Sequence, residues 1–233
     1  MMNNIAEQLA LAYQKLAKNC EQLPESRQPV QLIAVSKTQP DTAVLAAYEA
    51  GQRLFGENYP QELATKAEAL AHLPDLQWHF IGPIQSNKTR IIAQYASWVH
   101  SIDRLKIAQR LSEQRPADAA DLQVLLQINI SDEASKSGIA ATEMLALAAD
   151  VNALPRITLR GLMAIPAPGD EHKVKADFAA MQALSKQLQA LYPAATELSM
   201  GMSNDWPLAL PYGATMIRLG TAIFGARNYE KHE

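Results

Sequence analysis

Three groups of residues carry side chains that could work together on one ligand. Lys37 closes an apolar run, Leu32-Ile33-Ala34-Val35-Ser36, and is followed at once by Thr38-Gln39-Pro40. A lysine at the mouth of a barrel or sheet, with an apolar strand behind it, is partly desolvated, which lowers its pKa and raises the fraction of neutral, nucleophilic amine. Such an amine is prepared for a Schiff base. The same place also suits a solvated lysine, or one that meets a phosphate as a point charge. The second group is split between Gly201-Met202-Ser203 and Gly220-Thr221. Backbone amides exposed at a short helix start, assisted by hydroxyls, suit a phosphate dianion; ordinary glycine turns with capping hydroxyls are the plainer reading. The third is Arg218 in Thr215-Met216-Ile217-Arg218-Leu219, a permanent cation that needs a partner if it points into an interior.

The elements that must position these residues alternate along the whole chain. Ile5, Leu9, Tyr13, Leu16 and Cys20 recur at helical spacing and predict an amphipathic helix ahead of the first strand, covering the closed end of a barrel. After the strand ending at Ser36, Asp41 predicts a helix start and Gly51 a left-handed stop. The same grammar recurs at Arg53-Leu54-Phe55 with a helix over 60–71, at 77–81 with a helix over 88–95, and at 98–101 with a helix from about Asp103. Leu122 to Ile130 reads as a buried parallel strand, followed by a helix over 141–154, a strand over 157–165 and a helix over 175–191. Strands at 197–200 and 215–219 complete the series, with Pro166-Ala167-Pro168-Gly169-Asp170 as the strongest loop signal. The alternation predicts an α/β fold, a single (β/α)8 barrel with an extra N-terminal helix, in one domain over 1–233.

Composition narrows the partners. A chain of 233 residues with 48% hydrophobic content can bury a large core, and a net charge of -3 offers no electrostatic reason to expect nucleic acid or an anionic membrane. The single cysteine, Cys20, excludes an intramolecular disulfide and reads as a packing residue. With no secretory pattern at the start and no long apolar run, a cytoplasmic setting is expected.

In such a barrel the segments after the strands share one face, so distant residues meet there. Lys37, Gly56-Glu57-Asn58, His79 with Gly82, Met163, Ser203, Arg218, Gly220 and Thr221 all fall at or near strand ends. An amine, a phosphate cup and an arginine are the handles needed for pyridoxal 5'-phosphate (PLP): aldehyde, phosphate and ring nitrogen. Leu32 to Thr38, Phe55-Gly56-Glu57-Asn58-Tyr59, Trp78 to Lys88, Ser131 to Gly138, Gly161 to Ile165, Leu198 to Ser203 and Ile217 to Arg227 together resemble the YggS/PROSC family of PLP homeostasis proteins, in order and over nearly the whole chain.

That resemblance implies an alanine-racemase-like barrel of PLP fold type III, with the cofactor held as an internal aldimine at Lys37. It implies Ser203, Gly220 and Thr221 as phosphate ligands, Arg218 in the cup or facing the ring nitrogen, Asn58 beside the ring, and His79 and Met163 as pocket walls, with core packing as the equal alternative for these last two. Lys136, in the fifth rim loop, is the expected alternate acceptor, to which the resemblance gives a secondary role in transfer; a solvated loop charge is its plainer reading. The pattern departs at Asn204 to Tyr212, where relatives usually have two acidic residues and an alanine-rich helix; Pro211 predicts a short or bent helix instead.

An arginine at the pyridine nitrogen is a donor only and keeps that nitrogen unprotonated, a poor arrangement for carbanion chemistry. Racemisation in related barrels also uses a second base from a further domain, and this chain holds no residues for one; Tyr59 and Tyr212 read as structural. The leading expectation is therefore a monomeric PLP carrier or regulator of vitamin B6 and amino-acid metabolism, without robust turnover and without a metal. PLP-dependent apoenzymes are its expected recipients. A low-activity amino-acid racemase and a class I aldolase using Lys37 are the alternatives.

Overall fold

The computed structural model describes residues 5–24, 29–131 and 137–225, so Lys136 lies outside the described residues. Among these, eight parallel strands close into a barrel in chain order, with β8 hydrogen-bonded back to β1. The strands are β1 (Gln31–Val35), β2 (Leu54–Glu57), β3 (Gln77–Phe80), β4 (Trp98–Ile102), β5 (Leu122–Ile128), β6 (Ile157–Ala164), β7 (Glu197–Met202) and β8 (Met216–Leu219). Around them run α1 (Ile5–Cys20), α2 (Asp41–Glu49), α3 (Pro60–Ala69), α4 (Thr89–Tyr95), α5 (Leu105–Gln114), α6 (Met144–Asn152), α7 (Glu171–Leu191), α8 (Trp206–Ala209) and α9 (Thr221–Phe224). The (β/α)8 architecture expected from the alternation is present.

The differences from the sequence reading have local causes. Pro40, not Asp41, is the residue before α2, and the Asp41 carboxylate sits in the first turn, where it accepts from the Thr42 N–H and complements the helix dipole. Helix α7 starts four residues before its predicted boundary at Lys175, because the Asp170 carboxylate caps it by accepting from the Lys173 N–H at 2.8 Å. The proline-rich segment before it thus ends in a cap. Pro211 has the predicted effect: α8 gives way to a 3-10 turn over Leu210–Tyr212, ended by Gly213 at φ 93°.

Helix α1 buries Leu9, Ala12, Leu16 and Cys20 on one face and packs against α2 and α9. It therefore lies in the outer helical layer beside the seam between β8 and β1, not across the closed end. The reason is the shortness of α9, one turn of four residues, which leaves that seam for another apolar face to cover. Burial of Leu9 and Leu16 contributes roughly 1.5–3 kcal/mol each, and burial also pushes the Cys20 thiol up, as a packing cysteine requires.

Side-chain alternation sorts every strand into two faces. Leu32 and Ala34, Trp78 and Phe80, Leu162 and Ala164, and Ile217 and Leu219 join the large core between strands and helices. Ile33, Leu125, Met163 and Met216 form a separate apolar layer inside the barrel. By the same parity Lys37, two beyond Val35, and Arg218, two beyond Met216, face inward, whereas Ser36 and Glu57 face the helices.

A bulge in β6 sets part of this register. Leu159 pairs with Val124 but Gly161 pairs with Leu125, so Arg160 is the extra residue. Gly161 has φ 148°, and a Cβ there would overlap the Glu197 carbonyl oxygen. Gly161→Ala is expected to cost about 3 kcal/mol, read as a lowered urea midpoint with an unchanged slope.

Candidate functional site

Beyond the C-terminal ends of the strands lies a cavity of about 160 Å³ whose lining includes Lys37, Asn58, Ser203, Arg218, Gly220 and Thr221. Six of the eight predicted site residues are thus brought together. Val35, Ile81, Ile165 and Met202 supply apolar wall. Lys37 is half-buried, Ser203 and Thr221 are exposed, and Arg218 is 3% exposed.

Lys37 enters the cavity from a tight turn. The Gln39 N–H donates to the Ser36 carbonyl at 3.0 Å, which makes Lys37 and Thr38 the two central turn residues. On the opposite rim the Met202 N–H donates to Asp205 Oδ1 at 2.6 Å and holds the Ser203 turn. The Ile223 and Phe224 amides both donate to the Gly220 carbonyl, so the amides of Thr221 and Ala222 precede the first intrahelical bonds of α9. A side chain at Gly220 would bring its Cβ to 3.2 Å from the Val35 carbonyl oxygen, so the bare glycine lets β8 end close against β1.

Arg218 resolves into the barrel, and it has partners there. Its Nη1 donates to Ser199 Oγ at 2.6 Å and its Nη2 to the Ala164 carbonyl at 3.0 Å. Burial lowers its pKa to about 10, opposed by the charge of Asp205, so the guanidinium stays charged at neutral pH. From Ser199 the chain of contacts continues: Ser199 Oγ lies 2.8 Å from His100 Nδ1, and His100 Nε2 lies 2.9 Å from His79 Nδ1.

Arginine only donates, which orients this chain. The proton order that leaves fewest groups unpaired runs from Arg218 to Ser199, from the Ser199 hydroxyl to His100 Nδ1, and from His100 Nε2–H to His79 Nδ1. Only His79 Nε2, buried and without a hydrogen-bond partner among the described residues, then remains at its end. Both histidines are neutral at pH 7: burial pushes His79 down to about 3, and burial, then His79 and Arg218, hold His100 well below the usual range.

His79 and Met163, expected as pocket walls, are not among the lining residues. His79 stacks on Trp98 with ring centroids 5.5 Å apart, and Met163 belongs to the interior apolar layer. Inward positions at their level are filled by neighbouring side chains, as barrel interiors are. His100 and Ser199 escaped the sequence reading. Their signal was available in strand parity: His100 shares the inward parity of Arg218 within its own strand, two residues beyond Trp98. Tyr59 is 52% exposed at the start of α3, and Tyr212 packs on Phe178 at 6.5 Å.

A closed parallel barrel with an amine-bearing cavity at the C-terminal ends of its strands, faced by an arginine and a hydroxyl-rich rim, defines a (β/α)8 protein built for a small ligand. Residues 11–228 match the family model for the alanine racemase N-terminal domain. The pyridoxal phosphate homeostasis protein of Escherichia coli K12 is 50% identical over 233 residues, covering 99% of this chain and 100% of the relative, and that of Vibrio alginolyticus is 52% identical over 216 residues, 91% of each. The structure of PipY from Synechococcus elongatus with PLP bound superposes with a TM-score of 0.81 at 41% identity, covering 95% of this chain and 100% of that one. Alanine racemase from Corynebacterium glutamicum, at 16% identity and a TM-score of 0.72 over 100% of this chain and 63% of that one, shares the fold. The chain belongs to the alanine racemase N-terminal domain family and, within it, to the YggS/PROSC group of pyridoxal phosphate homeostasis proteins.

Proposed function

We propose that this protein binds pyridoxal 5'-phosphate covalently through Lys37 and holds it for intracellular vitamin B6 homeostasis, without robust turnover. The observation that carries this reading is the convergence of Lys37, Arg218 and the Ser203, Gly220 and Thr221 rim on one cavity. The donor set fits the group: an amine for the aldehyde, amides and hydroxyls for the phosphate, and a charged guanidinium for the ring nitrogen. Asn58 adds a further point of fit, since its Oδ1 is buried and has no hydrogen-bond partner among the described residues. When bound, PLP supplies a carbonyl carbon that accepts an amine.

The residues around it favour retention over chemistry. Arg218 offers donors only and keeps its proton, so it cannot hand one to a ring nitrogen. Its hold on Ser199 and Ala164 fixes that donor in place. Ser203 and Thr221, being exposed, grip a phosphate at the mouth, where exchange with solvent is easy. Tyr59 is exposed at the start of α3 and Tyr212 packs on Phe178, and neither lines the cavity as an opposing base would. His79 reaches Arg218 only through His100 and Ser199, and Met163 packs the apolar layer inside the barrel. Among the described residues no cluster suited to a metal ion is found, and no helix is long and apolar enough to cross a membrane. We infer further that the protein works as a cytoplasmic monomer and that its recipients are PLP-dependent apoenzymes.

An absorbance spectrum of the purified protein, before and after borohydride, tests the reading. A visible band that borohydride removes, with the reduced adduct mapped by mass spectrometry to Lys37, is the expected result. A colourless protein that binds no added PLP would overturn it. Rapid, saturable exchange of the alpha-proton of alanine in deuterated water would overturn the carrier role alone.

A further inference from the structure

Behind Lys37, in the layer between barrel and helices, four residues form a buried ionic cluster that the cavity does not include. Glu57 on β2 is fully buried and Lys66 on α3 is 5% exposed, an unusual place for either charge. Lys66 Nζ donates to Glu57 Oε1 at 2.8 Å, to the Ser36 carbonyl at 2.8 Å and to Glu62 Oε2 at 3.1 Å. The Ser36 hydroxyl donates to Glu57 Oε1 at 2.6 Å, and Glu62 Oε2 accepts from the Thr38 N–H at 2.8 Å. Burial pushes the Glu57 carboxyl up, while Lys66 and the Ser36 hydroxyl oppose that shift.

These contacts fall on both peptide groups that flank Lys37: the carbonyl of Ser36 before it and the amide of Thr38 after it. Thr38 has φ 63°, in the left-handed region where a β-branched residue is strained and where tight turns usually place glycine or asparagine. Strained backbone of this kind persists only when its surroundings over-determine it. Here the Glu62 carboxylate holds the strained residue directly, and Lys66 ties Glu62 to Glu57 and to β1.

We propose that Lys66, Glu57 and Glu62 are positioning residues for Lys37. The cluster clamps the Ser36-Lys37-Thr38 turn so that the lysine amine is aimed into the cavity at the aldehyde carbon. Condensation there joins Nζ to that carbon and releases water, and its equilibrium depends on aim. This assignment rests on the proposed covalent attachment of PLP at Lys37, and it predicts how the attachment fails when the turn is released.

Glu62→Ala and Lys66→Met/Glu57→Gln test it. The first removes a half-buried carboxylate, and the second removes both buried charges together, leaving only the half-buried Glu62, which keeps the Thr38 N–H, so neither strands a fully buried unpaired ion. Each is titrated with PLP at a temperature well below its melting point, following the visible band and the mass of the borohydride-reduced adduct. Both variants should bind about tenfold or more weakly than the unaltered protein, as misplacement of a reacting group by a fraction of an ångström entails. Thr38→Gly placed in the Glu62→Ala background should recover most of that loss, because glycine holds the turn conformation without strain.

Wild-type affinity and spectrum in both variants would overturn the clamp, as would a lowered melting temperature alone. No recovery with Thr38→Gly would overturn the role assigned to strain. Failure of the unaltered protein to form any adduct is a different result, and it would remove the attachment reading itself.

Discussion

Lys37→Ala is expected to abolish the visible band and the borohydride-trapped adduct while leaving the barrel folded. The lysine lies half-buried at the rim, and its side chain is not part of the core, so its loss removes chemistry and little packing. The phosphate rim and Arg218 remain, so PLP should still bind without a covalent bond. A loss of about two orders of magnitude in affinity, about 2.7 kcal/mol, is the expected scale for removing the covalent anchor alone. Circular dichroism and urea unfolding check the fold, and equilibrium dialysis reads the residual affinity. An adduct that persists and maps to another lysine would refute the assignment, and Lys136 is the first to examine.

The second large effect is on stability against acid. His79 and His100 are neutral in the folded barrel, with His79 pushed to about 3 and His100 well below its usual range by burial. In the unfolded chain both return to about 6.5. Below that pH the unfolded state binds more protons than the folded one, so the stability present above pH 6.5 is lost as pH falls toward the depressed folded values. For His79 the slope approaches about 1.4 kcal/mol per pH unit, or about 2 kcal/mol between pH 7 and pH 5, and His100 adds to it in the same direction. That is a large share of a typical folding free energy of about 5–15 kcal/mol.

Urea unfolding at pH 7, 6 and 5 measures this loss, and His79→Gln/His100→Gln should flatten most of it. A wild-type stability unchanged across that range would show that the pair is hydrated or charged in the barrel.

Much of this protein is readable along the chain because its causes are local. Apolar strand runs alternating with helical spacing announce the barrel, and Pro211 announces the break in the segment after β7. The place of Lys37, directly after an apolar strand, marks it as a rim residue. Ser203, Arg218, Gly220 and Thr221 are legible for the same reason, since each stands at or just beyond the end of a strand.

What escaped depends on contacts between distant segments. Lys66 reads as one more solvated charge on an amphipathic helix; it becomes a buried cation because α3 packs over the end of β2 and brings Glu57 to it. His100 and Ser199 stand 99 residues apart in sequence and join only across a closed interior. Taken alone, the sequence determined which residues face inward on each strand, because side-chain alternation is a property of the extended backbone. Only the tertiary structure decided which of them meet, because strand order, stagger and barrel closure set the distances across the interior and the desolvation that gives each contact its strength.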